Sequence, residues 1–333
     1  NNLAVLHKAQ NCNDKASAEY EESFAIYRKL AETDRDTFLP YVAGILNNLA
    51  VLHKAQNRYV EALAEYAEAL AIYRKLAETN PQTFLPFIAT TANNLAILHV
   101  NQNRYAEASA KFEETLAIHR KLAENDPNIF LPEVAMTLNN LALLHKDQNL
   151  YDEAAAEFAE SLIIHRKLAE INPNTHLPDV AMSLNNLAIL HQSQNRYDEA
   201  SAEYAEALAI RRNLAETNPQ TFLPYVATTL NNLAILHQMQ NRYTEGLTKY
   251  EEAFAIYRKL AETDPNTFLP EVAATLNNLG NLYQVQNCYD ESFVKYEESL
   301  AIYRKLAETN PQTFLPFIAT NLNNLAVLYE VQN

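Results

Sequence analysis

Nine histidines are the side chains in this sequence best suited to hold a metal, and six of them recur at a fixed interval of 46 residues: His7, His53, His99, His145, His191 and His237. Zinc requires ligands ~2 Å from one ion. Groups that return once per stacked helix pair are separated by about one packed layer, ~10 Å. The row therefore predicts packed, hydrogen-bonded core histidines and no metal. His119 and His165 stand where another copy has Tyr73 and read the same way, and His176 replaces a Phe. Acidic pairs such as Glu251/Glu252 have the composition of acid–base catalysis, but they recur on a charged helix face. The tyrosines fall at core spacing without the basic patch that base stacking needs. Cys12 and Cys288 share one position six repeats apart, too far for a disulfide. Two free thiols fit a reducing compartment and a cytoplasmic location. No nucleophile motif, P-loop or dinucleotide fingerprint is present. The expectation is a protein that is not an enzyme and needs no cofactor.

The amides are the more persistent signal. Paired asparagines occur at Asn1/Asn2, Asn47/Asn48, Asn93/Asn94, Asn139/Asn140, Asn185/Asn186, Asn231/Asn232, Asn277/Asn278 and Asn323/Asn324. Each pair lies in the middle of a helical pattern, although Asn is worse there than Ala by roughly 0.6 kcal/mol. An amide offers donors and acceptor lone pairs together, so it can pair with the N–H and C=O of an extended peptide. It can equally bond a neighbouring helix.

The chain has 333 residues, a formal net charge of −15 and 48% hydrophobic residues, enough for a large core. Gly44, Gly246 and Gly280 are its three glycines, which argues against hairpins, phosphate loops and flexible linkers. The acidic balance disfavours nucleic acid and anionic membrane as partners. No apolar run approaches the ~20 residues of a membrane span. With no signal peptide or initiator Met, and with both ends in the same phase, the chain reads as a segment of a longer polypeptide.

Two helices position these groups in every copy. In Phe222 to Asn241, core-type residues fall at Leu223, Val226, Leu230, Leu233 and His237, one face of a helix A, with Pro224 expected in its first turn. "QNRY" connects it to helix B, whose face carries Tyr243, Gly246, Tyr250, Ala253, Phe254, Tyr257 and Leu260. Acidic residues open helix B and basic ones close it, as the helix dipole favours. All thirteen prolines lie between B and A, and proline is expected to punctuate the repeat without interrupting a helix. The result is all-α: a right-handed α-solenoid of antiparallel pairs with a 46-residue period. It is expected to be one solenoid over 1–333, with a partial helix A at 1–11 and a final unpaired helix A at about 316–333.

Leu187, Ala188 and His191 follow Leu184, and Tyr197, Ala200, Tyr204 and Ala207 follow in turn, with the spacing of helices A and B of the tetratricopeptide repeat. Leu stands where that family has Trp at the start of helix A, and the closing proline, Pro219, comes about seven residues late. With about 12 added residues, the repeat resembles the long form found in kinesin light chains.

On a helical wheel Thr228, Asn231, Asn232, Ile235 and Met239 lie opposite the core of helix A. The resemblance implies that this side lines a concave groove. It further implies that the second asparagine of each pair, Asn48, Asn94, Asn140, Asn186, Asn232 and Asn278, holds the backbone of a ligand. For the first, Asn93, Asn139, Asn185 and Asn231, a bond between helices is an equal alternative. Ile97, Leu143, Ile189 and Ile235 would supply apolar contact, and Met136, Met182, Thr228 and Met239 vary between copies and would set specificity. Phe222–Asn241 has no formal charge, so a clamp for a peptide C-terminus is disfavoured against an internal segment. The expected function is a non-catalytic protein-interaction scaffold binding a protein or extended peptide. The alternatives are a sensor or regulatory arm of a larger signalling or catalytic protein, and a mechanical spacer or self-assembling filament. The chain is expected to be a monomer whose ends can stack end to end.

Overall fold

The computed structural model describes residues 13–332. The expected partial helix at 1–11, with Asn1, Asn2, His7 and Cys12, lies outside them. The described residues form helices joined by short turns, and no strand occurs among them. B-type helices are α1 (Asn13–Thr33), α3 (Tyr59–Ala77), α5 (Tyr105–Ala123), α7 (Tyr151–Ile171), α9 (Tyr197–Thr217), α11 (Tyr243–Thr263) and α13 (Tyr289–Ala307). They alternate with A-type helices α2 (Arg35–Ala55), α4 (Pro81–Asn101), α6 (Pro127–Asp147), α8 (Pro173–Ser193), α10 (Pro219–Met239), α12 (Pro265–Val285) and α14 (Pro311–Gln332). Two compact units divide the chain, Asn1–Leu168 and Ala169–Asn333.

Each unit is built on the same packing. In the first, fully buried Tyr66 and Ala62 of α3 share a cluster with Ala50 and Leu46 of α2 and Leu95 and Leu98 of α4. In the second, Tyr204 and Ala200 of α9 pack with Ala188 of α8 and Leu230 and Leu233 of α10. Large rings need small residues opposite them at native packing density. The extreme case is Gly280, where a Cβ would come within 2.6 Å of the Tyr296 ring. Other copies hold an alanine there, as at Ala234.

Helix A starts earlier than its pattern suggests. The first proline of a copy opens it, except at Arg35 in the first described helix A: Pro219 follows the cap residue Asn218, whose Oδ1 accepts from the Thr221 N–H at 3.2 Å. Proline suits this first helical position. The second proline, Pro224, then lies inside the helix, as do Pro40, Pro86, Pro132, Pro178, Pro270 and Pro316. The expectation that proline never interrupts a helix is thus corrected, and the last helix A begins at Pro311, not at about 316. In the second turn this proline removes one intrahelical N–H donor, at an edge that is half-buried in most copies.

The A-to-B turns rest on a third asparagine. Asn57, Asn103, Asn149, Asn195, Asn241 and Asn287 all have φ near +60°, between 57° and 62°. Asn tolerates this left-handed conformation better than other residues with side chains. Each Oδ1 accepts from the next helix's first tyrosine, as in Tyr59–Asn57 at 2.7 Å and Tyr243–Asn241 at 2.7 Å.

Successive B helices are linked by exposed ion pairs, Arg74–Glu114 at 2.5 Å and Arg120–Glu160 at 2.7 Å in the first unit, and Arg212–Glu252 in the second. Helix α4 is long and apolar enough to cross a membrane by length and composition. It packs between α3 and α5, and its buried face carries Ile88, Ala92, Leu95 and Leu98.

The row of histidines is built into the core as expected. His53, His99, His191 and His237 are buried. His53 bonds Glu65, His145 bonds Glu157 and His191 bonds Glu203, each at 2.9 Å through Nδ1. Burial raises the Glu65 and Glu157 carboxyls, and it pushes Glu203 up to about 7. Burial lowers His191. His99 and His237 instead feel Lys111 and Lys249, their Nδ1 atoms are buried without partners, and burial lowers both.

Candidate peptide-binding groove

The paired asparagines form a staggered ladder between successive A helices. Asn94 Nδ2 donates to Asn47 Oδ1 at 3.4 Å and Asn140 Nδ2 to Asn93 Oδ1 at 3.3 Å in the first unit. In the second, Asn232 donates to Asn185 at 3.2 Å and Asn324 to Asn277 at 3.0 Å. The second asparagine of one copy thus bonds the first asparagine of the copy before it. The inter-helix bond expected for the first residue of each pair is present at Asn93 and Asn185. Asn231 deviates, since its Nδ2 donates to Thr275 Oγ1 at 3.0 Å and its Oδ1 is buried without a partner.

The two members of a pair differ in exposure at Asn139/Asn140 and Asn185/Asn186. Asn139 and Asn185 are buried, whereas Asn48, Asn94, Asn140, Asn186, Asn232 and Asn278 are half-buried. Among the described residues no protein donor meets the Oδ1 of Asn94, Asn140 or Asn232, so these three donate to the stack and keep an acceptor. Ile97, Ile189 and Ile235 are half-buried, while Leu143, Met136 and Met239 are exposed. The Met239 Sδ accepts from Gln192 at 3.3 Å. Thr228 bonds the Pro224 carbonyl at 3.0 Å and the Tyr257 hydroxyl at 2.9 Å.

Sequence reasoning passed over a column that shapes this surface. Late in helix B stand Tyr27, Tyr73, His119, His165, Arg211, Tyr257 and Tyr303, and fourteen residues further on, in the next helix A, stand Tyr41, Phe87, Glu133, Asp179, Tyr225, Glu271 and Phe317. Three of these pairs are stacked rings, Tyr27–Tyr41 at 5.0 Å, Tyr73–Phe87 at 5.3 Å and Tyr303–Phe317 at 5.1 Å. In a fourth, the Arg211 guanidinium lies 5.6 Å from the centre of the Tyr225 ring. His119 Nδ1 lies 3.0 Å from Thr137 Oγ1, and burial lowers its pKa. The available signal was Arg211, an arginine in a column otherwise composed of Tyr and His.

Two clefts open at this column, one in each unit. The first, about 660 Å³, is lined by Tyr27, Pro40, Tyr41, Gly44, Ile45, Asn48, Tyr73 and Phe87. The second, about 370 Å³, is lined by Pro178, Asp179, Met182, Arg211, Leu214, Thr221, Phe222 and Tyr225. Pro40, Gly44, Tyr73 and Phe87 correspond to Pro178, Met182, Arg211 and Tyr225 three repeats later. Candidate groove residues Asn48 and Met182 thus line clefts.

The sequence profile of the tetratricopeptide repeat matches residues 41–121, 133–213, 226–266 and 272–312. The chain belongs to the tetratricopeptide repeat family. No curated protein matches it. Among solved structures it is similar to BtubC (BKLC) from P. vanneervenii, at 24% identity over 74% of this chain and 92% of that one, with a TM-score of 0.62. The apo form of RapI superposes with a TM-score of 0.61 at 14% identity, covering 92% of this chain and 96% of that one. The nearly identical kinesin-light-chain TPR-like repeats of Podosopora anserina give a TM-score of 0.52 at 19% identity, over 68% and 98% of the two chains. The fold is that of a tetratricopeptide protein of the kinesin-light-chain type, and it supports a protein–protein interaction scaffold.

Proposed function

We propose that the A-helix side of this chain binds an extended internal segment of a partner protein, without catalysis. One observation carries the reading: Asn48 shares a cleft with two stacked aromatic pairs, Tyr27–Tyr41 and Tyr73–Phe87. A ring cluster beside an amide matches the needs of a peptide, whose side chains seek apolar cover and whose backbone seeks hydrogen bonds. The unbonded Oδ1 atoms of Asn94, Asn140 and Asn232 would accept from backbone N–H groups of the segment. The B helices are set aside as the docking face because several of their Arg and Glu side chains are paired across the stack, as in Arg74–Glu114 and Arg120–Glu160.

Random peptides displayed on phage and selected on the native chain supply the ligand for a test. Asn94→Ala, Asn140→Ala and Asn232→Ala combined should weaken the selected peptides by ~tenfold or more, while circular dichroism shows the helices intact. Unchanged affinity in a folded variant overturns the reading.

A further inference from the structure

Arg211 is 7% exposed, on helix α9, and no carboxylate among the described residues pairs with it. Its Nη1 donates to Thr229 Oγ1, to the Tyr225 carbonyl at 3.2 Å and to Asn185 Oδ1 at 3.5 Å. All three acceptors are neutral, and no acceptor among the described residues meets Nε or Nη2. Burial lowers the group to about 10, which leaves it charged at neutral pH. A buried cation held by neutral groups alone is costly. The planar fork of arginine is matched by a carboxylate, which binds two N–H groups at once.

The surroundings fit that ligand. Arg211 lines the cleft of about 370 Å³, with Tyr225, Phe222, Met182 and Leu214 as apolar walls. Asp179, also on the lining, is engaged by His176 at 3.4 Å, and its side chain is 40% exposed. At the equivalent position three repeats earlier the wall is Tyr73, stacked on Phe87. Arginine therefore replaces a ring that the fold accommodates elsewhere in the chain.

We propose that the Arg211 cleft is a carboxylate-binding subsite that takes an Asp or Glu side chain of a bound peptide. The peptide as occupant rests on the function proposed above. The Arg211 geometry does not.

The probe for the site itself is benzoate, a carboxylate on one apolar ring. Titration into the native chain should give a saturable shift of the Arg211 Nε–H resonance. Arg211→Tyr, which restores the aromatic pair of other copies and should keep the fold, should abolish saturable binding. Peptides selected from the random library on the native chain should be rich in Asp and Glu. They should lose ~tenfold or more in affinity when the acid is changed to its amide, and should show no such preference on Arg211→Tyr. Absence of a saturable shift, or equal benzoate binding by Arg211→Tyr, overturns the subsite. Saturable benzoate binding at Arg211 with no peptide selected overturns the peptide reading and leaves a site for small carboxylates. Selected peptides without acidic preference, alongside benzoate binding, overturn the acidic side chain as occupant.

Discussion

The cleft at Tyr73 and the cleft at Arg211 have the same backbone and different chemistry. Both sit where a helix B meets the A helices on either side of it, with a proline in the wall at Pro40 or Pro178. At the first, Gly44 opens the space and two stacked ring pairs line it; at the second, Met182 narrows it and a buried guanidinium replaces the inner ring. The volumes are about 660 and 370 Å³. The repeat frame fixes where a cleft occurs, and two or three side chains fix what it can hold.

Tyr73→Arg is the most direct way to break this contrast. The acceptors of Arg211 have counterparts at the same spacings, Thr91 for Thr229, the Phe87 carbonyl for that of Tyr225, and Asn47 for Asn185. The variant should gain a benzoate site where the native cleft has none, measurable as a second binding event by calorimetry. Failure in a folded variant would show that the contrast depends on more than this one side chain.

The histidine–carboxyl pairs of the two units, His53–Glu65 and His191–Glu203, should behave alike, which sharpens the contrast between the clefts. Glu203 has its pKa raised to about 7 in the folded chain against an ordinary value near 4.5. The folded state therefore holds a proton that the unfolded chain releases between those values, and stability from this group falls as pH rises through that window. Glu203→Gln removes the loss. Relative to the native chain, it should gain on the order of 3 kcal/mol between pH 4.5 and 8, read from urea unfolding at a series of pH values. Glu65→Gln should shift in the same direction, because burial raises that carboxyl too. His191 bonds Glu203 at 2.9 Å, so the two titrate as a pair and the difference reports on both.

The smallest effect separates the two threonines. Thr229 is an acceptor for a buried cation, whereas the Thr91 hydroxyl bonds only the Phe87 carbonyl at 2.8 Å. Thr229→Val should cost about 2 kcal/mol and Thr91→Val under about 1 kcal/mol, compared through urea midpoints at constant m. Equal costs would mean that Arg211 draws nothing from Thr229.

The helices, the period and the core were legible because apolar spacing and a strict repeat report directly on burial. Leu230, Leu233 and His237 are buried as their spacing indicates. The start of helix A was misread because two prolines five residues apart offer two first turns, and the capping bond of Asn218 decides between them. The amide ladder could not be read from one strand of sequence. Its bonds join residues 47 apart in a 46-residue repeat, a one-residue stagger set by how neighbouring helices pack. The left-handed asparagines were within reach, since "QN" closes each helix A. Arg211 was also within reach, as the odd member of an aromatic column.

The one-residue junctions between helices B and A bear on how these arrays respond to load. Only Asn218 separates α9 from α10, and only Asp264 separates α11 from α12. A single residue extends by at most ~3.6 Å, so these joints hold no slack. Tension on such a stretch is delivered at once to the cap bonds, Thr221 N–H to Asn218 and Thr267 N–H to Asp264, both 3.2 Å. Any give at these joints must then come from helices tilting against each other or fraying from their first turns, so the stretch they join acts as a stiff spring rather than beads on a cord.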